Sequence, residues 1–186
     1  TAPAVMPNVT YKTADFAAIG SFAVDYQAIV SRPDPRWKTL NEFVAFAKRN
    51  TGKLSYGSSG IGTISFFNME ILKLREGLDI VHVPFQGTGP VVTAILGGQV
   101  DVAASAMGAM LPHLRSRKLE FLVTTAPRRL ADAPAVPTML EQGYTEATLN
   151  TIVQMFAPAK TPIEVLARLR SALERAAQDP GLVAGL

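Results

Sequence analysis

Apolar and polar residues alternate along this chain in two rhythms, one of period two and one near 3.6, and together they divide it into short strands and helices. The first ten residues, Thr1 to Thr10, are rich in Pro and small residues and read as an irregular lead-in. Phe22–Val30 reads as a strand, closed by the breaker Pro33-Asp34-Pro35. Thr39 followed by Glu42 has the capping-box pattern, Leu40, Phe43, Val44 and Ala47 form the apolar stripe behind it, and Gly52 stops that helix. Leu54–Tyr56 is a short strand, followed by the turn Gly57-Ser58-Ser59-Gly60-Ile61-Gly62-Thr63 and a helix from Ser65 to Arg75. Ile80–Val83 is a strand, and a second glycine-rich turn, Gln86-Gly87-Thr88-Gly89, leads into a helix from Pro90 to Leu96. Val100–Ala104 and Leu119–Thr125 are strands on either side of a helix from Ala109 to Arg117.

Past a proline-rich loop, Pro127–Pro137, the pattern gives a short helix over Pro137–Gln142 and a strand over Thr148–Ala157. A second capping-box pattern, Thr161-Pro162-Ile163-Glu164, opens the longest helix, which runs to about Gln178. The repeated β-α-β order predicts an α/β fold with a mostly parallel sheet flanked by helices.

Composition leaves this picture standing and removes several chemistries. The 186 residues are 48% hydrophobic and 18% charged, enough to bury a core in one or two small domains. The net charge is only +3, and the densest basic patches, Arg115–Arg117–Lys118 and Arg128–Arg129, read as solvated surface, so a nucleic-acid partner is not expected. The absence of cysteine excludes a disulfide framework, thiolate metal sites and a cysteine nucleophile. No run reaches the roughly 18 to 20 apolar residues of a membrane span, and no basic and apolar leader opens the sequence.

The turn from Gly57 to Thr63 is the most informative segment. Its glycines let several backbone amides point inward, the helix that follows adds partial positive charge, and Ser58, Ser59, Thr63 and Ser65 supply further donors. It reads either as an anion cradle or as a tight βα turn whose hydroxyls cap the helix. The second turn repeats the grammar, and both fall at the carboxyl edge of a parallel sheet, where open α/β sheets bind ligands. Neither turn has a phosphate-loop Gly-Lys-Ser/Thr or a dinucleotide fingerprint.

Catalytic constellations are thin. His82 lies inside an apolar strand and reads as structural, and His113, before a basic helix end, suits the helix dipole. Asp101 either hydrogen-bonds loop amides near the site or faces solvent at an edge. Of Phe66 and Phe67, one reads as core and one as a pocket wall. No serine-hydrolase elbow occurs, and neither enzymatic activity, a metal nor a cofactor is expected.

The ordered set Lys53-Leu-Ser-Tyr-Gly-Ser-Ser-Gly-Ile-Gly-Thr63, Val81-His-Val-Pro-Phe-Gln-Gly87 and Leu96-Gly-Gly-Gln-Val-Asp101 resembles the Bug-type solute receptors of tripartite tricarboxylate transporters. Arg128-Arg129, Ala133-Pro-Ala-Val-Pro-Thr138 and Phe156-Ala-Pro-Ala-Lys-Thr-Pro162 continue the resemblance along essentially the whole chain. It implies a periplasmic-binding-protein-like fold of two lobes that closes on a small carboxylate, a periplasmic location, and the membrane components of a tripartite transporter as partners. A ligand-sensing or effector domain of the same fold is the alternative reading. The resemblance also implies a partial first lobe and crossover strand over 1–36, an intact second ligand-binding lobe over 37–144, and a return to the first lobe over 145–186. The first lobe's opening strands and its own glycine-rich loop are expected upstream of Thr1, and exposed edges left without them are expected to drive dimerisation.

Carried over residue by residue, the resemblance implies ligand contacts from Ser58, Ser59, Gly60, Gly62, Thr63, Gln86, Gly87, Thr88, Gly89 and Asp101. Phe66 stands where relatives often carry His, and Gln86 where Lys or Arg is common. Both departures remove a cation, which implies a ligand whose far end is apolar or amide-like.

Overall fold

The computed structural model describes residues 9–131 and 133–181, so most of the lead-in expected at Thr1–Thr10 lies outside the described residues. The chain forms two compact units, one comprising residues 25–151 and the other the segments on either side.

The larger unit is built on a five-stranded sheet. Its elements are β2 (Gln27–Ser31), α1 (Leu40–Arg49), β3 (Ser55–Ser58), α2 (Ile64–Glu76), β4 (Val81–Pro84), α3 (Thr88–Leu96), β5 (Val102–Ala106), α4 (Met107–Arg115) and β6 (Glu120–Thr124). The strand order is β4-β3-β5-β2-β6. β3 runs parallel to β4 and β5, whereas β2 is antiparallel to both β5 and β6, so four strands share a direction and one opposes them.

Every residue of β2 is buried, as a strand covered on both faces requires. Successive side chains therefore feed two separate cores. Ile29 joins Phe43 and Val44 of α1 and Met69 and Leu72 of α2 on one face. Ala28 and Val30 join Val91 and Ile95 of α3 and Met110 of α4 on the other. Helix α1 starts at the expected cap: the Glu42 amide donates to Thr39 Oγ1 at 3.2 Å. The Glu42 carboxylate reaches one residue further back than the motif predicts and accepts from the Lys38 amide at 2.7 Å.

The smaller unit holds β1 (Phe16–Asp25) beside β7 (Thr151–Pro158), with α5 (Ile163–Ala177). Ile19, Ala157 and Leu166 form its small core. Arg170 donates to the Ala18 carbonyl, and the Ala159 amide to the Asp15 carbonyl. Phe16, Ile152, Met155, Phe156, Ile163 and Val165 remain exposed.

Three sequence expectations change. The strand expected over Phe22–Val30 is two strands in different sheets, because the chain breaks at Tyr26, whose carbonyl accepts from the Met107 amide. Its second half, β2, lies in the larger unit's sheet. Pro137–Gln142 is a single hydrogen-bonded turn and no helix. The Pro137 carbonyl and Met139 amide first bond to Thr124, extending the sheet edge, and Gly143 in the left-handed region then turns the chain away. The second capping box is not made: Pro162 occupies the cap, with no side-chain hydrogen bond to the helix.

Candidate functional site

Because β3, β4 and β5 are parallel, the turns that follow them emerge at one carboxyl edge. β3 ends at Ser58, and alternation along the strand sends consecutive serines to opposite faces. Ser58 is buried toward the α2 layer, where its Oγ lies 2.7 Å from Nε2 of His82. Ser59 turns toward α3, where its Oγ lies 2.7 Å from Ser105 Oγ and 3.4 Å from Thr88 Oγ1. Ser105 in turn donates to Thr88 at 3.2 Å, so the residue after β3, a residue near the end of β5 and the first residue of α3 contribute a closed ring of hydroxyls.

The loop between Ser59 and α2 is held by its own backbone and hydroxyls. The Gly60 amide donates to Ser58 Oγ at 3.3 Å, and the Gly60 carbonyl accepts from Thr63 Oγ1 at 2.7 Å. Thr63 caps α2 by accepting the Phe66 amide, and its hydroxyl sits 3.0 Å from that of Ser65. Gly60 has φ 127 and Gly62 φ 79, backbone states that L residues with a side chain rarely adopt. Among the described residues, no protein acceptor takes the amides of Ile61, Gly62, Ile64 and Ser65. The last two belong to the first turn of α2, where a helix has no acceptors of its own.

The second loop is tied to the first. The Phe85 amide donates to the Ser58 carbonyl at 2.9 Å and the Gly87 amide to the Ser59 carbonyl at 3.2 Å. Gly87, with φ 101, is the cap residue from which α3 starts, and it makes no side-chain cap bond. Thr88 and Gly89 therefore open α3 beside the hydroxyl ring, while the Gln86 side chain is exposed.

Nine of the ten expected residues thus gather at one edge, and Asp101 does not. It immediately precedes β5, opposite the start of β3, and accepts from the Ser55 amide at 3.0 Å and from Arg36 at 3.2 Å. Arg36 is shared with Asp34, forming an ion-pair cluster at the amino edge of the parallel strands. The apolar strand around Asp101 marked it correctly as an acid that needs partners, but a parallel sheet places a residue before β5 at the edge away from the loops.

Sequence reasoning missed Ser105, because a lone serine in an apolar strand carries no motif; only the register, which places it one step beyond the pairing of Ser58 with Ala104, brings it to Ser59. It read His82 as structural first, and beside Asp101 as a candidate for an acid-base pair only on an enzymatic reading of the fold. The imidazole stacks on Tyr56, with centroids 4.6 Å apart, and meets Phe66 at 5.0 Å. Burial pushes its pKa below the usual value, and the nearby Glu70 carboxylate only partly opposes this. The Tyr56 hydroxyl donates to Glu70 at 2.6 Å, and Lys73 pairs with the same carboxylate at 2.7 Å. Phe66 also packs edge-on against Phe67 at 5.4 Å, and both rings are half-buried. His113 lies in the last turn of α4.

Among the described residues there is no group of three or more metal-ligating side chains, and no helix is long and apolar enough to cross a membrane. The edge is built from backbone amides and hydroxyls, with the first turn of α2 opening onto it.

A family model, TctC, described as a tripartite tricarboxylate transporter family receptor, matches residues 1–186. Protein BugT of Bordetella pertussis is 29% identical over 180 residues, 96% of this chain and 55% of its own length. The structure of the periplasmic binding protein BugD is 28% identical with a TM-score of 0.88, covering 98% of this chain and 62% of that one. MatC from Rhodopseudomonas palustris, solved with bound malate, is 29% identical with a TM-score of 0.85, covering 97% and 62%. The fold is thus that of periplasmic binding proteins, and the chain spans about half the length of the curated relatives it matches.

Proposed function

The chain belongs to the tripartite tricarboxylate transporter receptor family, and on that premise we propose that its loop edge captures one carboxylate group of a small organic acid, in the periplasm, for a transporter of that type. The observation that carries the reading is the set of unclaimed amides at Ile61, Gly62, Ile64 and Ser65, beside the hydroxyl ring of Ser59, Ser105 and Thr88. A carboxylate accepts several donors at once, and charge-assisted hydrogen bonds of this kind are worth about 1.5–3 kcal/mol each.

Binding then exchanges the acid's water shell for fixed dipoles. The donors are held in place before the ligand arrives, since the loop's curl is set by Gly60, Gly62 and the Thr63 cap. Malate in the related MatC structure makes a hydroxy-dicarboxylate the first acid to try. Phe66 and the exposed, amide-bearing Gln86 beside the loops favour a ligand whose far end is apolar or amide-like.

Isothermal titration of the protein with mono-, di- and tricarboxylates, L-malate first, tests the reading. Saturable binding to at least one acid, weakened by Ser59→Ala, is expected. Failure of every acid to bind, or binding indifferent to Ser59→Ala, would overturn it.

A further inference from the structure

Beside the loop lies a histidine that the fold alone does not require. β3 and β4 pair with Tyr56 opposite His82 and Ser58 opposite Pro84, so the imidazole shares a face with both Tyr56 and Ser58. The ring is fixed between Tyr56 and Phe66, which leaves Nε2 2.7 Å from Ser58 Oγ. Ser58 is fully buried, and its other neighbours are the amide and carbonyl of Gly60, at 3.3 and 3.4 Å. The serine hydroxyl has one proton to give, toward Nε2 of His82 or toward the Gly60 carbonyl.

We propose that His82 is a positioning residue for the anion loop, which through Ser58 couples capture of a carboxylate to uptake of a proton. The inference rests on the carboxylate reading of this edge. In the Nδ1–H tautomer of neutral His82, Nε2 accepts the Ser58 proton, and the hydroxyl offers the loop only an acceptor. With His82 protonated, Nε2–H donates to Ser58 Oγ. The Ser58 proton is then turned toward Gly60 and the loop, and a positive charge stands one residue behind the cradle. The positive charge favours an anion, and the redirected proton, given to the Gly60 carbonyl, resets the loop's internal hydrogen bonds.

The charged and titratable groups facing the imidazole are Tyr56 from β3 and Glu70 and Lys73 from α2. Glu70 and Lys73 pair with each other, so their charges largely offset, and the Tyr56 hydroxyl is held as a donor to Glu70. Burial holds the His82 pKa below the ordinary imidazole value in the free protein, which favours the neutral ring. A bound carboxylate raises that pKa. Affinity therefore climbs as pH falls through the bound-state value and levels off below the free-state value.

Amide and imidazole NMR of the protein across pH 8 to 5 reads the relay without any ligand. The Gly60 amide is expected to shift with the same midpoint as the His82 ring. In Ser58→Ala that Gly60 response is lost while His82 still titrates, and in His82→Gln it is lost altogether. A Gly60 amide indifferent to His82 in the wild-type protein overturns the relay, and this measurement stands even where His82→Gln fails to fold. Titration with L-malate over the same range reads the consequence. Binding is expected to tighten about threefold to tenfold more in wild type than in His82→Gln, as a bound-state rise of half to one pKa unit gives; the variant corrects for the acid's own ionisation. Malate binding without that excess overturns the coupling. If no carboxylate binds at any pH, the carboxylate reading falls and with it the coupling, while the Gly60 response still decides whether His82 controls Ser58.

Discussion

Adding one methyl group at Gly60 tests whether the loop's curl is a built feature. The residue has φ 127, in the part of backbone space reserved almost entirely for glycine, and a Cβ placed there would sit 3.3 Å from the Phe85 carbonyl oxygen. That oxygen cannot easily retreat, because the Phe85 amide is tied to Ser58 at 2.9 Å. Strain of this kind costs about 1–3 kcal/mol, and the lower entropy of the unfolded alanine variant returns about 0.4–1 kcal/mol of it. The difference is about 0–2.6 kcal/mol, and the 3.3 Å contact places Gly60→Ala in its upper part, a loss of about 1–2.5 kcal/mol. Two other glycines calibrate the result. Gly87 has φ 101 but open space around its Cβ position, so Gly87→Ala should lose about 1 kcal/mol, through strain alone. Gly89 has neither a positive φ nor a neighbour within 4 Å and lies in the first turn of α3, so Gly89→Ala should gain about 0.5 kcal/mol. Urea unfolding followed by Trp37 fluorescence measures all three, since the protein's single tryptophan is buried in the larger unit. Equal effects at the three positions, or a Gly60→Ala change below about 0.5 kcal/mol, would refute the strain argument.

Three further predictions follow from the geometry. Ser105→Ala removes the 2.7 Å partner of Ser59 and should cost about 1 kcal/mol of stability and weaken L-malate binding about threefold to tenfold; unchanged affinity in calorimetry would take the hydroxyl ring out of the site. Asp101→Asn loses the half-exposed pair with Arg36 and should cost under about 1 kcal/mol while leaving L-malate affinity untouched, and a loss of affinity would return Asp101 to the site. The hydrogen bonds that hold Asp34 (from Arg36) and Glu76 (from Lys48) keep both carboxyls below their ordinary 3.8 and 4.5 in the folded protein. Depressed folded values mean that this stability is present above those pH values and is lost as pH falls through the lower folded ones. Urea midpoints measured from about pH 6 to pH 3 should therefore fall on the acid side, less steeply in Glu76→Gln.

The parts of the structure legible in the sequence are those written in local chemistry. The β-α-β order of residues 54–124, the Thr39 cap and the two glycine-rich turns all follow from residues adjacent in the chain, and the structure has them within a few positions. What depends on distant pairing was not legible. Phe22–Val30 looks like one strand, because nothing in an apolar run records that its first half borders β7 and its second half lies between β5 and β6. The resemblance groups Asp101 with the loops, whereas its place just before a parallel strand puts it at the opposite edge. Ser105 and His82 are undervalued because each gains its role only when register brings it to Ser59 or Ser58.

The two kinds of donor at this edge should contribute unequally, and one substitution separates them. Ser59, Ser105 and Thr88 already satisfy one another, so a carboxylate gains from them only the difference between a neutral and a charge-assisted hydrogen bond. Among the described residues the amides of Ile61, Gly62, Ile64 and Ser65 have no protein partner to give up, so each exchanges only water. Affinity should rest mainly on the amides, and the hydroxyls should set geometry. Ile64 is the first residue of α2, the helical position where proline is best tolerated, and Thr63 before it has φ -80 and ψ 163, an extended state that proline favours in its predecessor. Ile64→Pro therefore deletes one amide donor without breaking the helix. It should cost about 1 kcal/mol of stability through the half-buried isoleucine side chain. L-malate binding should weaken about tenfold or more, beyond the effect of Ser105→Ala, as loss of a hydrogen bond to a charged group requires. A folded Ile64→Pro protein that still binds malate as tightly as wild type would show that the first turn of α2 does not hold the anion.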